Sequence, residues 1–258
     1  MSQFSLFDDR LEPAEPGQPA APPPAPAPLP VTSDERIELS PTEKRELLEA
    51  LGQRAAGCER CALSRTRTHV VFGEGNPAAP LVLVGEGPGE NEDATGRPFV
   101  GRAGKLLDEV LARNGMTRSH VYICNILKCR AAEMQNGRYL NRPPAAEEIS
   151  SCQPWLEEQL GIIRPLVVLC VGGPSANTII HKNFRISSER GRWFTNSPYA
   201  GWTMAVFHPA YILRLQGPAY QAALDTLIED IGRARQKVVE LRRQLKEEQA
   251  SPPRSLFD

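Results

Sequence analysis

Four short apolar runs punctuate the chain, at residues 80–85, 120–126, 166–172 and 203–207. Each is nearly unbroken, with no polar residue at alternate positions. That pattern predicts strands buried on both faces. Between them the apolar spacing changes to a helical period, at about 101–114, 144–162 and 174–181. Strands that alternate with helices predict an α/β fold: a three-layer α/β/α sandwich around a central, mainly four-stranded parallel sheet. Ahead of the first strand, "SPTE" offers Ser40 as helix cap, Pro41 at the first helical position and Glu43 three residues after the cap. A helix to about Ala56, ending at Gly57, follows. A last helix, about 218–247, carries apolar residues at 224, 228, 231, 238, 241 and 245. One such stripe predicts a helix that docks at its start and projects at its end, in a monomer, in preference to a dimerising coiled coil.

Composition sets the outer limits. Residues 11–32 hold nine prolines and cannot bury a core, so they read as an extended linker. The expected organisation is a tail and Pro/Ala-rich linker over 1–39, a folded domain over 40–235, and a helix extension with a tail over 236–258. No run of eighteen apolar residues exists, so no membrane span is expected. The opening "MSQFSLFDDR" has neither the basic region nor the apolar run of a secretory signal. The chain is expected in the cytoplasm, near the nucleoid, where its six cysteines would stay reduced.

In that setting cysteines bind metal or fill the core. Cys124 and Cys170 lie inside apolar strands and read as small core residues. "CERC" places Cys58 and Cys61 at the spacing that points two sulfurs into one turn. With Cys129 at a strand end and Cys152 on the next helix, four thiolates become available. Four thiolates suit zinc or an iron–sulfur cluster, and ligand count alone does not separate the two.

The loop "GEGPGENEDATGRPFVGRAG" after the first strand looks at first like a phosphate cradle. Its glycines, Gly85, Gly87 and Gly89, lack the dinucleotide-binding spacing, and no Walker lysine follows. Glu86, Glu90, Glu92 and Asp93 would repel pyrophosphate. The glycines suggest instead a close backbone approach to a flat, uncharged ligand. Ligands of open parallel sheets bind at the carboxyl ends of strands. There the loop would meet Phe99 in "GRPFVG", Asn125 in "CNILKC" and His208 in "VFHPAYILR". Each has a structural competitor: Glu86 or Glu92 as a helix cap, Asn125 as a turn residue, His208 beside its proline, Phe99 in the core.

Taken in order, "GEGPGENEDATGRPFVGRAG", "NILKC", the four cysteines and "HPAYIL" resemble family 4 uracil-DNA glycosylase, the iron–sulfur class of its superfamily, over roughly residues 42–235. The resemblance implies removal of uracil from DNA, by hydrolysis of the N-glycosidic bond, with a [4Fe–4S] cluster on Cys58, Cys61, Cys129 and Cys152. It implies that Asn125 reads the edge of uracil, Phe99 stacks on the base and His208 donates to O2 as the bond breaks. Glu86 and Gly87 would lie against base and attacking water, and Glu92 would crowd C5. The best-known class of this superfamily has an aspartate where Gly87 stands, so here the reaction should lean on dissociative departure of uracil. A second departure is the long segment 131–151 between two of the cysteines, expected to loop out. The alternative reading is an iron–sulfur module of this fold that binds nucleic acid without cleaving.

Net charge is -1, so DNA binding needs a local basic face. Residues 97–142 hold nine Lys/Arg against three Asp/Glu. Arg102, Lys128, Arg130 and, after His208, Arg214 are expected to contact phosphates, with Ile212 or Leu213 as a wedge. "QFSLF" at Gln3–Phe7 resembles the short peptide by which bacterial repair proteins dock on the sliding clamp.

Overall fold

The computed structural model describes residues 39–250. The "QFSLF" stretch, the proline-rich linker and the final "SLFD" lie outside the described residues. In chain order come helix α1 (Pro41–Ala56), strands β1 (Glu74–Gly75) and β2 (Leu81–Gly85), helices α2 (Glu90–Thr95) and α3 (Arg102–Arg113), then β3 (Tyr122–Asn125), β4 (Ala132–Gln135) and β5 (Arg138–Asn141). After these come α4 (Ala146–Ile163), β6 (Val167–Val171), α5 (Gly173–Ile179), α6 (Ile186–Glu189), β7 (Trp193–Phe194), β8 (Trp202–Val206), α7 (Pro209–Ile212) and α8 (Gly217–Ala250).

The main sheet runs in the order β1-β3-β2-β6-β8-β7. Its four central strands are parallel, as their unbroken apolar runs predict. The sheet is wider than expected, because β1 and β7 add short antiparallel edges of two residues each. The strand alternation divides the core cleanly. Leu81, Leu83, Ile123, Leu169 and Val206 pack with Leu107, Val110 and Leu111 of α3 and Leu224, Leu227 and Ile231 of α8. Val82, Val84, Cys124, Val168 and Cys170 turn to the other face, against Leu156 and Leu160 of α4 and Ile179 of α5. This is the three-layer sandwich, with Cys124 and Cys170 in the core as expected.

Ser40 accepts from the Glu43 amide at 3.3 Å while Glu43 accepts from the Ser40 amide at 2.7 Å, a reciprocal cap on α1. Helix α8 passes residue 235 without a break; Val238 is still buried on the body and Leu245 is exposed. The helix therefore docks early and projects late, and its packed part reaches past the expected domain boundary. Residues 131–151 do not simply loop out. β4 and β5 form a two-stranded hairpin whose turn, Asn136 and Gly137, has positive φ at both residues.

One helical glycine fixes how the loop meets α3. Phe99 takes a left-handed backbone (φ 53°), which turns its carbonyl under the first turn of the helix. A Cβ on Gly104 would overlap that carbonyl. Gly→Ala inside a helix ordinarily stabilises by about 1 kcal/mol. At Gly104 the sign should invert: Gly104→Ala is expected to destabilise by about 2–4 kcal/mol, the range of severe steric changes, measured by urea unfolding.

Candidate active site and cysteine pocket

The carboxyl ends of β2, β3, β6 and β8 open into one cleft of about 1050 Å³. Glu86, Gly87, Glu92, Phe99, Asn125 and His208 all line it, as do Arg102 and Arg214. The amide, the ring and the imidazole thus converge at one rim. The Phe99 and His208 rings stack, centroids 5.7 Å apart and 28° from parallel. Gly85 explains how the amide and the ring come together. A side chain there would overlap Asn125 Oδ1 and stand 2.6 Å from the Phe99 ring. This glycine makes room for neighbouring side chains, which corrects the expectation that it admits ligand.

Asn125 is 1% exposed, and its Oδ1 has no hydrogen-bond partner in the protein. A buried acceptor left unpaired costs about 1–3 kcal/mol. Among the described residues it is the one buried side-chain polar atom in this state, and the residue that carries it lines the cleft. It calls for a donor from a ligand.

His208 is held as a neutral donor. Its Nδ1 accepts from the Ala210 amide at 3.1 Å, so the neutral ring carries its proton on Nε2. Burial, helped by the Arg214 charge, pushes its pKa from the ordinary 6.5 down to about 4. Burial also raises the Glu86 carboxyl above its ordinary value of 4.5.

Glu92, on the cleft wall, is held by backbone amides. Its Oε1 accepts from the Val100 and Gly101 amides at 2.8 and 2.7 Å, and its Oε2 from Gly89 at 3.1 Å. With both oxygens engaged, it clips the two ends of the loop together, the capping role that competed with the chemical one. Phe99 is both core and cleft: it is buried in the α3 and α8 cluster and also lines the cavity.

The basic residues expected to contact phosphates separate into groups. Arg102 and Arg214 face the cleft, and neither has a carboxylate partner among the described residues. Arg130 braces the hairpin, donating to Asn141 Oδ1 at 2.7 Å and to the Tyr139 carbonyl at 3.0 Å. Lys128 is not a phosphate contact: it is 2% exposed. Its ammonium donates to the Asn125 carbonyl at 2.9 Å and to Gln159 Oε1 at 2.6 Å, and lies 5.6 Å from the Phe72 ring centre. Ile212 is fully buried and is no wedge. Sequence reasoning missed the Lys128–Gln159 brace, whose partners are 31 residues apart. The one available signal was a lysine closing an apolar run.

Behind the cleft is a second, small cavity lined by Cys58, Cys61, Cys129 and Cys152. Leu127 belongs to the walls of both cavities. Three of the four sulfurs receive N–H groups: Cys58 from Trp155 Nε1 at 3.3 Å, Cys152 from the Lys128 amide at 3.1 Å and Cys129 from Arg67 at 3.7 Å. Burial pushes the Cys129 thiol up to about 11 and raises Cys152 as well. A cationic group would be needed to hold the set as thiolates. Among the described residues no group of three or more His, Cys, Asp or Glu side chains is arranged around a single metal ion.

Residues 72–232 match the family model described as the uracil DNA glycosylase superfamily. The type-4 uracil-DNA glycosylase of Thermotoga maritima is 39% identical over 196 residues, which cover 74% of this chain and 95% of the relative. That of Archaeoglobus fulgidus is 39% identical over 174 residues, covering 65% of this chain and 84% of the relative.

The imidazole geometry has a direct spectroscopic consequence. Long-range ¹H–¹⁵N spectra should show His208 with its proton on Nε2 and no titration above about pH 5, because its pKa lies near 4. A His208 that titrates near 6.5 would contradict the burial described here.

Proposed function

The chain belongs to the uracil DNA glycosylase superfamily, and from that footing we propose how its cleft performs the reaction. It removes uracil from DNA. The observation that carries the residue assignment is the unpaired Asn125 Oδ1. Uracil offers a donor at N3–H and an acceptor at O4. The Asn125 carboxamide would accept from the first and donate to the second. Cytosine reverses both groups, and mismatches of this kind discriminate by roughly 10⁴-fold.

The uracil nucleotide leaves the helix to reach this depth. Phe99 supports the face of the base. As the bond from C1′ to N1 breaks, its electron pair passes to the uracil ring and reaches O2. The neutral Nε2–H of His208 donates there, and one well-placed donor of this kind lowers a barrier by about 3 kcal/mol. Water adds to C1′, leaving an abasic site, and its proton passes toward Glu86. Glu86 supplies a carboxylate in the absence of an aspartate at Gly87. Arg102 and Arg214 hold the flanking phosphates, and Arg130 acts mainly through the hairpin. Glu92 positions the loop. The alternative of a binding module without chemistry is disfavoured, because amide, imidazole and carboxylate line one cleft.

Cys58, Cys61, Cys129 and Cys152 would hold a [4Fe–4S] cluster. Support comes from the four thiols around one cavity and the N–H groups aimed at three of them, the usual surroundings of cluster sulfurs. A cluster also spreads its four ligands more widely than a single zinc ion does. When bound it would supply no redox step to the reaction; through Cys129 the chain at 127–129 would be held beside the cleft. The same reading includes a monomer in the cytoplasm, near the nucleoid, and docking on the sliding clamp through Gln3–Phe7, which rests on the peptide resemblance alone.

Timed cleavage of uracil-containing oligonucleotides tests the proposal. His208→Ala should lower kcat by about 10²–10³-fold, and Asn125→Asp should lower uracil release with the fold intact by circular dichroism. Normal turnover in both would remove the pocket assignment. The rate should rise with pH as Glu86 ionises, through an apparent pKa above 4.5. Glu86→Gln should abolish that limb and slow the reaction by about 10²-fold. The purified protein should absorb broadly in the visible, which zinc with its filled d shell does not. Removing residues 2–8 should weaken clamp binding; an unchanged affinity ends that part of the reading.

A further inference from the structure

The β4–β5 hairpin leaves the body and returns to it at the cleft, whose wall includes Ala131, Asn141 and Arg142. Apart from half-buried Ala132, all its strand residues are exposed. Yet it shows solvent a Met134 that is 56% exposed and a Tyr139 that is 43% exposed. These two are directly paired across the strands, and Ala132 pairs with Asn141. Alternation along each strand puts both pairs on the same face. The Asn141 amide on that face approaches Gly89 of the cleft loop, 3.7 Å from where a Cβ would stand. The ring and the thioether therefore continue outward along the face that begins at the cleft.

The hairpin is also held in place. Arg130 bonds to both Asn141 and the Tyr139 carbonyl. Arg142 donates its amide to Ala131 at 3.0 Å and its guanidinium to Glu148 at 2.9 and 2.5 Å. Arg138, next to the turn, has no carboxylate partner among the described residues and is exposed.

We propose that this hairpin is a DNA-binding arm, on which Tyr139, backed by Met134, stacks a base near the extruded uracil. The proposal rests on the reading of the cleft as a uracil site. A flat ring recognises any base face, so the arm would add affinity without sequence preference. Arg138 would add attraction to the phosphate backbone. Unpaired bases have free faces, so single-stranded DNA should benefit most.

The test uses the full chain and a single-stranded oligonucleotide carrying one uracil. Tyr139→Ala should raise KM by about 5- to 100-fold, the usual worth of one stacked base, with kcat at saturation within about twofold. Tyr139→Phe should behave as wild type, because the stack needs the ring and not the hydroxyl. An unchanged KM in Tyr139→Ala, or failure of Phe to rescue, overturns the arm. A wild-type protein that releases no uracil would strike the cleft reading instead. Anisotropy with the same oligonucleotide would then judge the arm alone: binding weakened by Ala and kept by Phe supports it, and any other pattern rejects it.

Discussion

The ammonium of Lys128 is the constraint around which the site is built. A buried cation is costly unless its donors are used, and here they reach the Asn125 carbonyl and Gln159. Gln159 is fixed in turn, donating to the Phe72 carbonyl at 3.0 Å and to the Tyr122 hydroxyl at 3.1 Å. The amide of the same lysine donates to Cys152. One residue therefore sets the backbone at Asn125 from one side and the wall of the cysteine pocket from the other. The backbone under Asn125, a residue of the cleft wall, is thereby held by a hydrogen bond from within the core.

This arrangement gives the cysteines a mechanical place in the molecule. Cys58 and Cys61 follow α1, whereas Cys129 and Cys152 flank the hairpin. A group bridging all four would tie the start of the folded chain to the strip that runs from Asn125 to Cys129. Leu127, shared by both cavities, is the point where a disturbance on one side would be felt on the other. Tight packing transmits such shifts because interiors have little empty space to absorb them.

Much of the architecture was legible because it rests on local patterns. Unbroken apolar runs identified the central strands, and Ser40 with Glu43 identified a capped helix. The edge strands β1 and β7 were not legible, since two residues carry no periodicity. The hairpin was legible in principle, from Asn-Gly between its strands. At the site, residues at strand ends could be placed by topology alone. What could not be read was which polar groups turn inward. Lys128 looks like a surface charge in the sequence, and only a partner 31 residues away gives it an inward role; Glu92 could be read as a cap, but the amides up to nine residues on that it also accepts from could not.

The half-buried imidazole at position 208 has an effect far from chemistry. An unfolded chain would take up a proton on this ring near pH 6.5, whereas the folded one refuses it until about pH 4. Across that interval acid favours the unfolded ensemble, by up to about 3 kcal/mol once both limits are passed. A protein poised to greet a neutral nucleobase thereby gives up part of its tolerance to acidity, and does so at a single ring.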